Sequence, residues 1–367
     1  MEPVKVGIIG CGNISDVYFK AGRRFEILEI VACADLDKGR ASAKAKEYEI
    51  PRATTARQLL ADKTIDIVAN LTVPKAHQEI SLAALKAGKH VYSEKPLALT
   101  REAGQEILAL AKENELRVGC APDTVLGAGI QTARKLIDDG WIGRPVSATA
   151  FMQCHGHESW HPNAAFFYEE GGGPMFDMGP YYLTALVSLL GPVARVCGSA
   201  GKGFPERLIT TGEQWGQRIP VQVPTHVAGV MDFQKGAVGT MITSFDVWAS
   251  TLPCIEIHGT TGSLSVPDPN TFGGEVRLFR AGAEGWTTVP HSHGYADNVR
   301  GLGMADMACA VRSGRPHRAS GDLAYHVLDI MHAFYDASET GRHIQIKSRC
   351  RRPQPMIMDL AEGQLDE

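Results

Sequence analysis

The stretch VKVGIIGCGNIS, residues 4–15, decides the fold of the first part of this chain. A short β-branched run ends in Gly10, and a helical pattern begins inside the loop Gly10-x-Gly12-x-x-Ser15. Ser15 stands where Gly or Ala is usual, so the loop is a weak match by its pattern alone. Its place between a strand and a helix is typical of a dinucleotide-binding turn, in which glycines let the backbone approach a pyrophosphate. The residues expected to hold this cofactor are Gly10, Gly12, Asn13 and Ile14.

The acid that closes the next strand indicates which cofactor binds. Asp35 follows Gly12 by 23 residues. An acid at this place accepts hydrogen bonds from the adenosine ribose, and its charge repels the 2′-phosphate of NADP. The next residue is Leu36, and no Arg directly follows to bind such a phosphate. The sequence therefore favours NAD, with Lys38 and Arg40 close enough to keep NADP open.

Outward from this turn, strands and helices alternate over roughly 120 residues, which is typical of a doubly wound parallel sheet. From Thr225 the chain is rich in strands joined by short polar turns, which predicts a second, mostly antiparallel sheet. An amphipathic last helix is expected at 321–341, packing back toward the first domain. The fold class is therefore α/β, with these expected parts: a Rossmann domain at 1–123, a substrate-binding and oligomerisation domain at 124–347, and a tail at 348–367.

The bulk composition argues against several classes of partner. Of the 367 residues, 21% are charged and the net charge is -4, so no basic face for nucleic acid or an anionic membrane is indicated. The eight cysteines form no CxxC pair, and the N-terminus lacks the features of an export signal. The longest uncharged run, 178–194, is broken by two Gly-Pro pairs and is too short to span a bilayer. We therefore expect a cytoplasmic protein without a nucleic-acid or membrane partner.

Polar residues follow two further strands of the predicted parallel sheet. The strand IDIVANL ends at Leu71, Thr72 and Pro74, with His77 in the next helix. In such a sheet, ligands bind beyond the carboxyl ends of the strands. We therefore expect all four residues to contact the cofactor, although a core or capping role for His77 is an equal alternative.

The segment YSEKPLA, residues 92–98, ends the following strand. A lysine between an acid and a proline is unusual for a strand end that only faces solvent. We expect Glu94 and Lys95 to face the cleft and contact the cofactor, and Pro96 to fix the turn, as a cis bond.

Taken together, the glycine loop, the Thr72–His77 segment and Glu94-Lys95-Pro96 resemble the Gfo/Idh/MocA family, named after glucose–fructose oxidoreductase, inositol dehydrogenase and a rhizopine-catabolism protein. The resemblance extends over nearly the whole chain, because GGGPMFDMGPYY, residues 171–182, matches the family's second motif. It implies NAD(P)-dependent hydride transfer on sugars or polyols, with Lys95 near the reacting oxygen. It also implies a second domain whose open sheet face packs against another subunit, giving a homodimer or homotetramer.

The second motif departs from the family at one position. Its acid is Asp177, and four residues later the family usually has histidine where this chain has Tyr181. The two side chains, at i and i+4 of a helical start, are expected to share a face. A phenol has an ordinary pKa of about 10, which the Lys95 ammonium would lower. We therefore expect Lys95 and Tyr181 to handle the proton and Asp177 to orient the substrate or hold Lys95.

The substrate is expected to be an uncharged sugar or polyol. Residues 151–182 contain no Lys or Arg that would bind a phosphate or carboxylate, but they contain aromatic and neutral hydrogen-bonding side chains. The expected contacts, besides the three residues above, are Trp160, His161 and Asp123. The spacing of His155, His157 and His161 also suits a metal, but hydride transfer needs none and we expect none.

Two other functions remain open from the sequence. A non-catalytic sensor could keep the fold and the dinucleotide site, and a redox-neutral enzyme could hold NAD tightly. The segment around Asn298 and Arg300 returns either to the active site or to a subunit interface, and the sequence does not choose between them.

Overall fold

The first part of the chain alternates strands with helices, as the hydrophobic pattern predicts. The computed structural model describes residues 1–161 and 163–366. Its strands here are β1 (Val4–Ile9), β2 (Leu28–Ala34), β3 (Ala53–Thr54), β4 (Ile67–Asn70), β5 (His90–Ser93) and β6 (Val118–Cys120). Its helices are α1 (Ser15–Arg24), α2 (Lys38–Tyr48), α3 (Ala56–Ala61), α4 (His77–Lys86) and α5 (Arg101–Glu113).

These six strands form one parallel sheet in the order β3-β2-β1-β4-β5-β6. The strands are apolar on both faces because helices cover both sides. The strand order reverses between β1 and β4, and at such a point a crevice opens beyond the carboxyl ends of the two strands. This arrangement confirms the doubly wound Rossmann sheet and places the glycine loop beside residues 71–74.

The second part of the chain contains the remaining elements. Its strands are β7 (Pro145–Gln153), β8 (Val193–Gly201), β9 (Glu206–Leu208), β10 (Arg218–Pro220), β11 (His226–Phe233), β12 (Val238–Ser244), β13 (Ile255–Gly259), β14 (Gly262–Val266), β15 (Val276–Arg280), β16 (Thr287–Val289) and β17 (Ile344–Gln345). Its helices are α6 (Ala128–Asp138), α7 (Gly173–Asp177), α8 (Gly179–Leu190), α9 (Leu302–Ser313) and α10 (Gly321–Thr340).

Nine of these strands form a second sheet in the order β16-β15-β14-β13-β7-β12-β11-β8-β17. Adjacent strands in this sheet run antiparallel, except for the one parallel pair of β7 with β12. This confirms a mostly antiparallel sheet. Helices α6, α8 and α10 pack against it, over buried side chains such as Met231. Val230 and Val238, whose side chains alternate to the other face, are 39% and 45% exposed. One face of the sheet is thus open.

The last helix joins both sheets. Helix α10 packs against β8 and α8 and also against α5 and β6. Ser320 caps its first turn, and Gly341 ends it in the left-handed conformation at φ 64°, which favours glycine. The following segment returns over the molecule, where Met356 is buried and Asp366 pairs with Arg318. The final residue of the tail expected at 348–367 lies outside the described residues.

Across the described ranges, no helix is both long enough and apolar enough to cross a membrane.

Candidate active site

The turn between β1 and α1 is open at one glycine and tightly packed at the other. Gly10 adopts φ +102°, and a Cβ there would lie 2.5 Å from the Leu71 carbonyl oxygen. A Cβ on Gly12 would meet nothing within 4 Å. Helix α1 also begins without a side-chain cap, which leaves its first amide groups for a ligand. An open glycine before an uncapped helix start fits the pyrophosphate of a dinucleotide.

A cavity of about 770 Å³ extends along this turn, within the size range of small-ligand sites. Asp35 is bonded to a wall residue of this cavity: its carboxylate accepts hydrogen bonds from the amide of Cys11, which lines the cavity, and from the Asp37 amide, at 2.8 and 2.9 Å. Arg40 lies 3.6 Å from that carboxylate and lines the cavity itself. The walls also include Gly12, Asn13, Ile14, Lys44, residues 71–75, His161 and Phe166. These residues fit NAD, with Asp35 and Arg40 at one end and residues 72–74 at the other.

A second cavity, of about 270 Å³, adjoins the first and contains the predicted reactive groups. Glu94, Lys95, Asp177 and Tyr181 all line it. The two cavities share the following wall residues: Ile14, Thr72, Pro74, Phe166 and Gly171. The loop after β5 and the α7–α8 segment therefore bring the lysine, the acid and the phenol together in a cavity that adjoins the cofactor cavity.

Lys95 and Asp177 form a largely buried ion pair. Lys95 Nζ donates to Asp177 Oδ1 at 2.8 Å and to the Asp177 carbonyl oxygen at 2.6 Å. Burial opposes the lysine's charge, but the nearby carboxylate outweighs it and holds the pKa of Lys95 above its ordinary value. Burial likewise opposes the charge of Asp177, and Lys95 and His157 outweigh it, so the pKa of Asp177 lies below its ordinary range. Both groups are thus charged at neutral pH.

The electrostatics of Tyr181 differ from the expectation. The phenol is 8% exposed, and Lys95 Nζ lies 5.3 Å from its ring centroid. Burial raises the pKa of Tyr181 and Glu94 adds to that effect, whereas Lys95 and Arg300 lower it. The net pKa is above the ordinary value, so the prediction that Lys95 would bring it below was wrong. The lysine acts in the expected direction, but removal from water has the larger effect.

Asp177 and Tyr181 also do not lie on one continuous helix. Helix α7 ends at Asp177 and α8 begins at Gly179, with Met178 between them at φ −108° and ψ −25°. The break leaves the Asp177 carbonyl at a helix end, where it has no partner further along α7 and can accept from Lys95. The expected i, i+4 face is therefore replaced by a helix junction that presents both side chains to Lys95.

Neighbouring contacts hold the Glu94–Pro96 loop. Glu94 Oε1 accepts from the Tyr18 hydroxyl at 2.8 Å, and Glu94 Oε2 accepts from the Lys95 amide at 3.0 Å. The Lys95–Pro96 bond is cis, as expected. His77 is fully buried, with its ring nitrogens 2.7 Å from the Pro96 carbonyl oxygen and 3.0 Å from the Thr72 carbonyl oxygen. Burial lowers the pKa of His77, and the neutral ring donates to one of these two oxygens. His77 thus contacts both loops of the site from beneath.

Three of the expected substrate contacts, Asp123, Trp160 and His161, are not among the walls of the smaller cavity. Asp123 is 1% exposed, and its carboxylate accepts from the Gly301 and Gly303 amides at the start of α9. Burial raises its pKa to about 6. Trp160 is 61% exposed, while His161 lines the larger cavity.

One contact within the site was not expected. His157 Nε2 lies 3.2 Å from Asp177 Oδ2, so the acid is held by a lysine on one oxygen and a histidine on the other. The spacing of His155 and His157 was the available signal, but Gly156 between them adopts φ 77°, and nothing in the sequence says which of the two histidines meets Asp177. Within the described residues, no group of three or more His, Cys, Asp or Glu side chains is arranged to hold a metal.

Comparison with known families fits this geometry. Residues 4–121 match the model of the oxidoreductase family with an NAD-binding Rossmann fold, and residues 130–265 match the GFO/IDH/MocA C-terminal domain. The chain belongs to the Gfo/Idh/MocA oxidoreductase family. Its first sheet is therefore the NAD-binding part of a family member.

Individual relatives are sugar enzymes by name. The chain is 29% identical to the 1,5-anhydro-D-fructose reductase of Ensifer adhaerens, over 70% of this chain and 74% of that protein. It is 26% identical to the D-glucoside 3-dehydrogenase of Escherichia coli, over 94% and 98% of the two chains. The structure of levoglucosan dehydrogenase with NADH and levoglucosan shares the fold, with a TM-score of 0.82 at 22% identity and coverage of 95% and 100%.

Proposed function

We propose that this family member transfers a hydride between NAD and a secondary alcohol or ketone of a neutral sugar or polyol. The observation that carries the proposal is the placement of Lys95, Asp177 and Tyr181 in a cavity that shares walls with the cofactor cavity. A substrate carbon there would lie beside the inner end of the dinucleotide site.

Each of the three side chains has a distinct proposed role. Bound NAD would supply the nicotinamide that accepts or returns the hydride. In oxidation, the alcohol proton passes to the phenolate form of Tyr181, and Lys95 donates a hydrogen bond to the oxygen that loses it. In reduction, the Tyr181 phenol returns the proton to the developing alkoxide. Asp177 keeps Lys95 in place and charged throughout.

An uncharged substrate is proposed on the chemistry of the walls. The smaller cavity is bounded by apolar and aromatic groups such as Phe166, Phe176 and Pro74, and its one ammonium is already paired with Asp177. The buried Arg207 is likewise paired, with Glu158 and Asp246. The relatives named for anhydro sugars and glucosides favour the same class.

The test is NAD reduction across a panel of neutral sugars, glycosides, anhydro sugars and polyols, matched by their phosphate and uronate derivatives. We expect activity with one or more neutral compounds and a loss of at least about tenfold in kcat/KM on adding a charge, since the ammonium among the described walls of the smaller cavity is already paired with Asp177. Activity confined to the charged derivatives would contradict the proposed substrate class. Cofactor binding without turnover of any compound would favour a sensor.

The proposed preference for NAD over NADP is supported by Asp35, whose carboxylate would lie against a 2′-phosphate. Arg40 partly offsets that charge at 3.6 Å. We expect wild-type protein to bind NADH more tightly than NADPH, and Asp35→Ser to reverse or abolish the preference, as measured by fluorescence titration. Equal affinities in the wild type would contradict it.

We further propose a homodimer or homotetramer that packs through the open sheet face, where Val230 and Val238 are exposed. A cytoplasmic location is supported by the cysteines: none of the eight, all of them within the described residues, forms a disulfide.

A further inference from the structure

Tyr181 has a second cation beside it. Arg300 lies in the loop that precedes α9, and its guanidinium carbon is 5.9 Å from the centroid of the Tyr181 ring. Lys95 Nζ lies 5.3 Å from the same centroid. The sequence left open whether the segment around Arg300 returns to the active site or to a subunit interface, and the structure brings Arg300 beside Tyr181, more than a hundred residues away along the chain.

Two neutral side chains hold the guanidinium in place. Arg300 donates to the carbonyl oxygen of Asn270 at 3.0 Å and to its side-chain oxygen at 2.6 Å, and to the side-chain oxygen of Asn298 at 3.0 Å. Amide oxygens orient a guanidinium without cancelling its charge. Lys95 differs, because the Asp177 carboxylate accepts from it directly at 2.8 Å.

The charges around the phenol make Arg300 the less compensated of its two cations. Burial and the nearby Glu94 carboxylate both disfavour a negative charge on Tyr181. Lys95 and Arg300 both favour a negative charge on it. Asp123 and Glu94 both act on Arg300, and the Asp123 carboxylate already accepts from two backbone amides at the start of α9. A buried phenol that must ionise needs a cation that is not already neutralised at contact distance.

We propose that Arg300 is a positioning residue for proton transfer, whose guanidinium stabilises the negative charge that Tyr181 carries after it gives up its proton. The inference rests on the proposed role of Tyr181 as the group that exchanges a proton with the substrate oxygen. It adds that Asn270 and Asn298 serve the reaction indirectly, by fixing the arginine.

A spectroscopic titration tests this without any turnover. A fluorinated tyrosine at position 181, which ionises at lower pH than tyrosine, is followed by fluorine NMR in otherwise wild-type, Arg300→Met and Arg300→Lys proteins. We expect Arg300→Met to raise the midpoint by about one pH unit, since a nearby opposite charge shifts a pKa by about that much or more. Arg300→Lys should restore much of the difference. Equal midpoints in wild type and Arg300→Met would overturn the proposal.

Kinetics provide the second readout. Arg300→Met should lower kcat for alcohol oxidation about tenfold at neutral pH, the counterpart of a one-unit shift, with the loss recovered at higher pH. A rise in KM with an unchanged pH profile would overturn the proposal and assign Arg300 to substrate binding. If Arg300→Met does not fold, Asn270→Ala, which only loosens the guanidinium, should shift the profile in the same direction.

Tyr181→Phe separates this inference from the proposed function. If Tyr181→Phe keeps wild-type kcat and pH dependence, the proposed proton route fails and the role of Arg300 with it. If Tyr181→Phe abolishes the pH dependence but Arg300→Met leaves it in place, only the inference about Arg300 fails.

Discussion

At the scale of single residues, the site depends on a lysine that stays charged although it is largely out of water. Lys95 and Asp177 have side chains that are 17% and 15% exposed. A buried charge without its partner is costly, so each residue is needed to hold the other in its ionised form. The charge on Lys95 that the proposed reaction uses is therefore also one that the fold must stabilise.

Removing the acid alone should destabilise the protein. We expect Asp177→Asn to lower the free energy of unfolding by about 3 kcal/mol, because it leaves the Lys95 ammonium without its carboxylate. Denaturant unfolding of the apoprotein measures this. The matched control is Asp139→Asn, which breaks the exposed Lys135–Asp139 pair and should cost under about 0.5 kcal/mol. Equal effects in the two variants would contradict the account of the pair.

If Tyr181 exchanges the proton as proposed, its raised pKa predicts a definite pH dependence. Below that pKa the phenolate fraction grows about tenfold per pH unit, so kcat/KM for alcohol oxidation should rise with pH through the neutral and mildly alkaline range. Reduction uses the phenol, which predominates across this range, and should change little. Initial rates in both directions at several pH values measure this, and a flat oxidation profile would contradict it.

At the scale of elements, the strand-to-helix turn of residues 9–15 contains one glycine that the fold requires and another that is expected to serve ligand binding. Gly10 has a positive φ and lies close to the Leu71 carbonyl. The ends of β1 and β4 can meet only because no side chain stands between them there. Gly12 meets no protein atom at its missing Cβ, so the fold alone does not require a glycine there. The two glycines of one motif thus have different reasons to be present.

A matched pair of alanine variants tests this division. Gly12→Ala should keep the wild-type melting temperature but weaken NADH binding by at least about tenfold, because the methyl group fills space meant for the cofactor. Gly10→Ala should lower the melting temperature, because alanine is strained at φ +102° and would contact the Leu71 carbonyl. Thermal unfolding and NADH titration separate the two effects. Strong destabilisation by Gly12→Ala would contradict it.

At the scale of the whole molecule, the sequence predicted the architecture well and the inner site only in part. Alternating strand and helix patterns and the glycine loop identify a Rossmann sheet, because these are local signals with a fixed period. The motif around Lys95 and that around Asp177 could be found for the same reason. Three features of the inner site depend on how distant segments of the chain pack, and local patterns do not reveal them. They are the contact of His157 with Asp177, the bonds of Asp123 to the start of α9, and the approach of Arg300 to Tyr181. The net effect of burial on Tyr181 depends on the same packing, so a sequence does not reveal it.

The open face of the second sheet leads to a prediction about assembly. Val230→Asp would place a charge in the middle of the proposed subunit interface and should shift the protein toward monomer, as measured by light scattering coupled to size-exclusion chromatography. Val230 is exposed in the single chain, so the fold of each subunit should survive, as judged by circular dichroism. An oligomer unaffected by Val230→Asp would contradict the proposed interface.

The central claim is that Lys95 and Tyr181 act on the chemical step at the end of an NAD site. It is tested most directly by single-turnover hydride transfer from an active sugar to NAD in wild type, Lys95→Met and Tyr181→Phe, with NADH affinity measured separately. We expect each variant to lose at least about 10²-fold in the rate of the chemical step while keeping NADH affinity within about threefold. Near-wild-type rates in both variants, with cofactor binding intact, would contradict the account.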